Sequence, residues 1–289
     1  MSERIRFGPS GIDDSFREDG LKHSFQLPER LRALGLSAYE YSFGRGVNLG
    51  EEKARLLGSE AARHDIALSV HAPYYINFCN PAEDAREKSR NYIIQSLQVA
   101  GWMGARRIVV HTGSVSGRDR AEALRRTMGE MERLLRETEN EQGILLCPET
   151  MGKGNQQGTV EEIIQICSID PQRLLPTVDF GHINALTQGS LRTADDFRRI
   201  IDAIGGGLGE DAARRFHIHF SHIEYGRSGE VRHLTFEDQQ YGPFFEPLAM
   251  VLAEYDLAPV VICESRDCMA KDALQMKALY EQMHENKPS

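Results

Sequence analysis

The sequence predicts a (β/α)8 barrel, on three observations. Eight short apolar segments alternate with amphipathic helical stretches along the chain, a pattern that calls for parallel strands joined by helical crossovers. The 289-residue length suits one such barrel, which takes about 250 residues. Ionisable residues recur at the C-terminal ends of successive strand candidates, and a barrel gathers those ends on one face.

The strand candidates are Ile5–Phe7, Ala38–Ser42, Ala67–His71, Arg107–His111, Ile144–Pro148, Leu175–Asp179, Phe216–Ser221 and Val260–Glu264. Helices are expected between them. Glu83–Met103 precedes the fourth strand. Leu124, Met128, Met131 and Leu135 make an apolar stripe on one face of the next helix. Thr159 and Glu162 form a capping box that opens a helix through Ile163, Ile164 and Ile166. Thr193 and Asp196 open another through Phe197, Ile200, Ile201 and Ile204. No linker or composition break divides the chain, so residues 1–289 are expected to form one barrel domain. Two smaller domains are the length-based alternative. A doubly wound sheet would want a Gly-rich phosphate loop after its first strand, and Gly8-Pro-Ser-Gly11 is not one.

Composition bounds the partners. The chain is 40% hydrophobic and 27% charged, with a net charge of −9, which argues against non-specific nucleic-acid binding while leaving room for a basic rim around a site. No apolar run nears the roughly 20 residues that span a bilayer, and the first seven residues have no signal-peptide core. Cys79, Cys147, Cys167, Cys263 and Cys268 form no C-x-x-C pair. They read as reduced thiols of a cytoplasmic protein.

The third strand ends in His71 and the fourth in His111. The fifth runs into Glu149, and the sixth ends in Asp179 with His182 three residues on. The seventh carries His217 and His219, with His222 and His233 following, and the eighth ends in Glu264. Strand stability does not require buried ionisable groups, which cost free energy unless paired or bound to metal. Imidazole and carboxylate together suit Zn2+ or Mn2+. Cys147 and Cys263 lie just before strand-end carboxylates, where packing explains them more simply. One zinc takes four or five ligands, so this set points to two or three ions. Clustered cations suit phosphoryl displacement, whereas one ion serves sugar isomerisation. His217 and His219 share one side of their strand, and His219, nearer the C-terminal end, is the one expected at the metals. His217 is expected deeper in the barrel with a hydrogen-bond partner. His222 could go either way, and Glu40 on strand two is either exposed or lining.

These residues resemble endonuclease IV, the zinc-dependent apurinic/apyrimidinic endonuclease family of xylose-isomerase-like TIM barrels, over nearly the whole chain. Ser69-Val-His-Ala-Pro-Tyr-Tyr-Ile-Asn77 is similar to the family's strand-three motif and Val110-His-Thr-Gly-Ser114 to its H-P-G-S. Glu149-Thr-Met-Gly-Lys-Gly154 resembles its E-N-T-x-G-x-G loop and Val178-Asp-Phe-Gly-His182 its D-T-C-H. His219-Phe-Ser221 resembles H-L-N, Arg232-His233 resembles D-R-H, and Glu264 its strand-eight glutamate. The resemblance implies that His71, His111 and Glu149 hold one zinc. Glu149 would bridge to a second ion held by Asp179, His219 and Glu264, and His182 and His233 would hold a third. It also implies hydrolysis of DNA 5′ to abasic sites in base-excision repair by a metal-bridging hydroxide. Duplex DNA with an abasic site is then the partner, and a monomer is expected.

Three positions depart from the family. Its third zinc has an Asp two residues before the final His, which is Val231 here, and Glu230 substitutes only if the loop shifts. The A-H-V-S of strand one reads Gly8-Pro-Ser10, and D-T-C-H has lost its Thr and Cys. These mark a divergent branch. Tyr74 and Tyr75 match the family's wedge into stacked bases, or pack within the loop. Arg45, Lys153, Arg227, Arg232 and Arg266 follow strands on the same face and offer phosphate contacts or solvated charge. The alternative activity is a one-metal sugar isomerase or epimerase using Glu149, Asp179, His219 and Glu264. A metal-binding barrel without catalysis is the third.

Overall fold

The structure, a computed structural model, describes residues 4–44, 46–115, 117–138 and 143–287. Short, mostly buried segments become β1 (Arg6–Pro9), β2 (Ala38–Ser42), β3 (Ala67–His71), β4 (Arg107–Val110), β5 (Leu145–Pro148), β6 (Thr177–Asp179) and β7 (His217–Phe220). A hairpin of β8 (Ile223–Gly226) and β9 (Gly229–His233) follows, and then β10 (Val260–Cys263). The parallel order is β1-β10-β7-β6 on one side and β2-β3-β4-β5 on the other. Two seams join them: Ser10 bridges Glu40, and Leu146 and Glu149 bridge Leu174 and Thr177, all parallel. The eight parallel strands thus close into a barrel.

Helices cover the outside: α1 (Asp14–Glu18), α2 (Leu27–Leu34), α3 (Glu51–Arg63), α4 (Glu83–Met103), α5 (Arg120–Glu137), α6 (Val160–Cys167), α7 (Phe180–Leu186), α8 (Ala194–Leu208), α9 (Glu210–Arg215), α10 (Phe245–Glu254) and α11 (Met269–Glu285). Helix α4 has the expected bounds. On α5 the stripe packs inward, with Met131 and Leu135 buried and Leu124 and Met128 half-buried against the core. The Thr159 hydroxyl accepts from the Glu162 N–H, and the Glu162 carboxylate accepts from the Thr159 N–H at 3.0 Å. Asp196 likewise accepts from the Thr193 N–H at 2.7 Å. The first strand runs later than Ile5–Phe7, because its ladder to β10 continues to Pro9 opposite Cys263. The sixth is shorter than Leu175–Asp179, its start held by single backbone bonds, from the Leu175 N–H to the Leu146 carbonyl and from the His217 N–H to the Pro176 carbonyl, outside the continuous ladder. His111 and Glu264 stand one residue beyond β4 and β10.

Between strands and helices lies one contiguous apolar layer, with Phe7 and Phe220 meeting Phe245 edge-on. Inside the barrel the filling is different. Branched apolar side chains usually fill that space. Here Glu40, Ser69, Glu149, Asp179, His217 and His219 are fully buried and polar. No helix among the described residues is long and apolar enough to cross a membrane. The five cysteines are free, and burial pushes the Cys147 thiol up to about 12.

The β1–β2 seam depends on Gly8. A Cβ there would sit 1.8 Å from the Ala38 carbonyl oxygen, an overlap with backbone that no rotamer relieves. On either side, Ser37 donates to the Phe7 carbonyl at 2.9 Å and Gly11 to the Glu40 carbonyl at 2.8 Å. Gly8→Ala should cost about 1–3 kcal/mol of stability, the usual scale for overpacking, read as a lowered denaturation midpoint; an unchanged midpoint would refute the close approach.

Candidate metal centre

The site rests on strand ends, so the backbone ladders set its geometry. Glu149 follows β5 and is fully buried at its centre. Its Oε2 lies 3.0 Å from His111 Nε2 and 3.4 Å from His71 Nε2, and its Oε1 lies 3.1 Å from His219 Nδ1. Glu264 Oε1 is 3.5 Å from the same His219 nitrogen. The potential ligand atoms of Glu149, Asp179, His219 and Glu264 all fall within 4.8 Å of one another, as do those of His71, His111 and Glu149. His182, Glu230 and His233 form another such group. The structure therefore brings all the residues expected at the metals into three adjoining sets, two of which share Glu149.

The ring orientations also have causes. His71 Nδ1 is held 2.7 Å from the Ala72 carbonyl, His182 Nδ1 2.9 Å from the Thr150 carbonyl, and His233 Nδ1 2.9 Å from the Ser221 hydroxyl. A carbonyl partner forces Nδ1 to carry the proton, which leaves Nε2 with its lone pair toward the carboxylates. Asp179 ends β6 and caps α7, accepting from the His182 N–H at 2.7 Å with one oxygen. Its other oxygen, Oδ2, is buried without a hydrogen bond, as is Glu149 Oε2. Buried carboxylate oxygens left without a hydrogen bond are costly. Four carboxylates and five imidazoles around one cavity suit transition cations, and these two oxygens are placed to accept them.

Electrostatics agree. Burial would raise the Glu149 pKa, but the charges on His219 and His111 outweigh it and hold the carboxyl well below its usual range. Burial disfavours charge on His71 and His182 too. Glu149 beside His71, and Asp179 with Glu149 beside His182, overcome it and lift both to about 9. Asp179 goes up, through burial and the neighbouring Glu264 and Glu149 charges, which together exceed the pull of His182. Protons here do the neutralising that a cation would do instead.

One departure gains an explanation. Val231 is 56% exposed, while Glu230 Oε2 lies 3.6 Å from His182 Nε2 and Glu230 Oε1 3.9 Å from His233 Nε2. The hairpin lies outside the elements expected from sequence; it turns the residue before Val231 inward. It is pinned to the loop after β5 by the Glu230 N–H bonding the Gly152 carbonyl at 2.9 Å. The Gly226-Arg-Ser-Gly229 turn was the available signal.

Glu40 lines the barrel and is fully buried. Its Oε2 accepts from Ser69 at 2.8 Å and faces His217 Nε2 at 3.1 Å, and its Oε1 is 3.0 Å from His219 Nε2. Strand alternation could have placed it, because Tyr39 and Tyr41 on either side share the opposite face. His217 is buried and neutral, pulled down to about 4 chiefly by desolvation. His222 leaves the site, stacking on Phe236 with Nδ1 2.8 Å from the Asp238 carbonyl.

A cavity of about 350 Å3 opens over the centre, and Tyr74, Lys153, His111 and Glu264 help line it. Tyr74 is 57% exposed, while Tyr75 is less so and packs edge-on against Tyr92 at 5.1 Å. Lys153 Nζ is 3.9 Å from Glu230. Arg232 is drawn to Glu224 at 2.6 Å and Arg266 to Asp267 at 3.2 Å. Arg227 is exposed, and Arg45 lies outside the described residues.

Known proteins resemble the chain in sequence and in fold. The chain is 31% identical over 278 residues to an uncharacterized protein of Methanocaldococcus jannaschii, covering 96% of this chain and 97% of that one. It is 30% identical over 181 residues to a probable endonuclease 4 of Acholeplasma laidlawii, covering 61% of this chain and 60% of the relative. Among solved structures, a D-tagatose 3-epimerase-like protein superposes with a TM-score of 0.70 at 19% identity, covering 97% of both chains. Endonuclease IV from Thermus thermophilus superposes at 0.65 and 19%, covering 98% of this chain and 100% of that one. A family model described as xylose isomerase-like TIM barrel matches residues 28–281. With a closed parallel barrel and a polar centre at its C-terminal strand ends, the chain belongs to the xylose isomerase-like TIM barrel family.

Proposed function

We propose that the chain is a metal-dependent phosphodiesterase, a zinc endonuclease that cleaves duplex DNA 5′ to abasic sites, with residues 1–289 acting as one barrel domain. One observation carries this reading: beside the Glu149, Asp179, His219 and Glu264 group lie the His71, His111 and Glu149 set, which shares Glu149 with it, and the His182, Glu230 and His233 set. A single-ion sugar epimerase needs only that group. The probable endonuclease 4 relative supports the DNA reading. The free buried thiols suit a reducing cytoplasm.

His71, His111 and Glu149 would hold one zinc; Glu149, Asp179, His219 and Glu264 a second; His182, Glu230 and His233 a third. Bound cations supply Lewis-acid activation of water and neutralise phosphoryl oxygens. The chain's own residues do the rest. Glu149 presents one oxygen to each of the first two groups and so fixes their spacing. Lys153, at the cavity edge, is the cation best placed to receive a neighbouring phosphate. Tyr74, the more exposed of the tyrosine pair, is the one able to stack against unpaired bases. Arg232 is held by Glu224 and has less to offer.

The one-ion epimerase on this barrel is the second reading, favoured by the sufficiency of that four-residue group alone. Metal content separates the two. Protein purified without added metal should carry at least two transition ions per chain by elemental analysis, and a reproducible value of one or less would promote the epimerase. Uptake should also release protons. A ligand imidazole must be neutral, while His71 and His182 without metal keep their protons up to about 9. Zinc affinity should therefore strengthen from pH 6 to pH 9. For the metal-free protein the sign is opposite. Pairing of these histidines stabilises the fold fully below their ordinary value of 6.5 and fades as pH rises through about 9.

Glu149→Gln keeps size and removes the shared charge. Turnover should fall at least about 100-fold, the scale of a lost electrostatic partner, together with the zinc content; full metal and full turnover would remove Glu149 from its bridging place. On a labelled duplex with one abasic analogue at low salt, the zinc-loaded protein should nick 5′ to the lesion and leave a 3′-hydroxyl. Binding should weaken steeply with salt. Tyr74→Ala should cost about 1–3 kcal/mol of affinity for that duplex without changing metal content. No cleavage, alongside isomerisation of a free ketose or aldose, would decide for the epimerase.

A further inference from the structure

His219 faces the centre the other way round from its neighbours. His71, His182 and His233 are anchored through Nδ1. His219 turns Nδ1 to Glu149, 3.1 Å away, and Nε2 to Glu40, 3.0 Å away. His219 Nε2 and Glu40 Oε1 are both buried and out of line for a hydrogen bond, and neither atom has another hydrogen-bond partner. Below them, Glu40 Oε2 meets His217 Nε2 at 3.1 Å and the Ser69 hydroxyl at 2.8 Å. His217 Nδ1 in turn lies 3.4 Å from an Arg107 guanidinium nitrogen.

We propose that Arg107, His217 and Glu40 form a one-way hydrogen-bond chain through the barrel interior that fixes the tautomer of His219 and makes Glu40 a positioning residue for the metal centre. The direction follows from the end groups. A guanidinium only donates, so His217 Nδ1 must accept and Nε2 must carry the hydrogen. That hydrogen goes to Glu40 Oε2. A carboxylate only accepts, so Glu40 Oε1 is the acceptor left for a hydrogen on His219 Nε2 once the ring comes into line. His219 Nδ1 now hydrogen-bonds Glu149 Oε1 at 3.1 Å; with a cation in place of that hydrogen, the Nδ1 lone pair would face Glu149 and Glu264. A small ring rotation toward a cation at Nδ1 would bring Nε2 into line with Glu40. A carboxylate behind a ligating imidazole both orients the ring and raises its basicity.

The inference rests on the metal-centre reading, and its test separates the two. Glu40→Gln cannot satisfy the chain. If the amide oxygen serves His219, the amide N–H meets His217 Nε2–H; if it serves His217, the N–H meets His219 Nε2–H. Zinc affinity, measured by competition with a chromogenic chelator, should fall about 10- to 100-fold for the ion at His219. Arg107→Ala releases His217 to adopt the other tautomer and accept from the amide. The Glu40→Gln/Arg107→Ala double variant should therefore bind zinc more tightly than Glu40→Gln alone, a rescue that a packing role does not predict. Wild-type affinity in Glu40→Gln, or a double variant no better than the single, would overturn the proposal. Nitrogen-15 NMR of the zinc-loaded wild-type protein gives an answer that does not depend on the variants folding: His219 should show metal at Nδ1 and hydrogen at Nε2. Coordination through Nε2 would overturn the positioning role with the metal centre intact, whereas failure of the wild-type protein to take up zinc would overturn the metal reading itself.

Discussion

A fully buried carboxylate, Glu149, faces three imidazoles across two oxygens. Burying that charge is costly unless opposite charge surrounds it, and the barrel is arranged to supply it. Each partner comes from a different strand end: His71 from β3, His111 after β4, His219 from β7. The parallel ladders hold those ends level, so the spacing around Glu149 is a property of the sheet more than of any loop. The close β1–β2 contact at Gly8 belongs to the same requirement, because it draws Glu40 to the wall across from His217 and His219. In this chain the polarity runs from that face downward into the barrel, through Glu40, Ser69 and His217.

Most of the barrel was legible because two periodicities alternate cleanly. Helix α4 and the capping boxes of α6 and α8 fell where spacing and cap chemistry put them, since those signals are local. Strand limits drifted by one or two residues because a ladder's length depends on its neighbour, as with β1 running on to Pro9 opposite Cys263. The hairpin β8–β9 went unread: with Ile223 and His233 as its outer pair, it buries too little to stand out as an alternating pattern.

At the centre, strand-end positions named the residues that assemble, and radial position was the harder property. Glu40 sits between two tyrosines in an ordinary-looking strand; alternation turns it to the face opposite theirs, and closure of the barrel carries it to His217 and His219. Glu230 was readable only through a resemblance that it partly violates, and the hairpin register settles its direction. The basic residues were the least legible. Whether Arg232 or Arg266 meets a ligand or its own neighbour turns on local pairing, and the neighbour takes both.

The hairpin carries one more consequence. Two of the three ligand sets are borne wholly by the barrel's own strand ends, whereas Glu230 and His233 sit on β9, whose backbone tie to the loop after β5 is the Gly152 carbonyl and the bridge from Gly229 to Lys153. A strand set in a closed ladder opens only with the whole fold, while a two-stranded ribbon can lift on its own. The three sets therefore differ in lability. With cations held as proposed, the set on the ribbon should be the first to open under a chelator, and the pair built around Glu149 should outlast it for as long as the barrel stays closed.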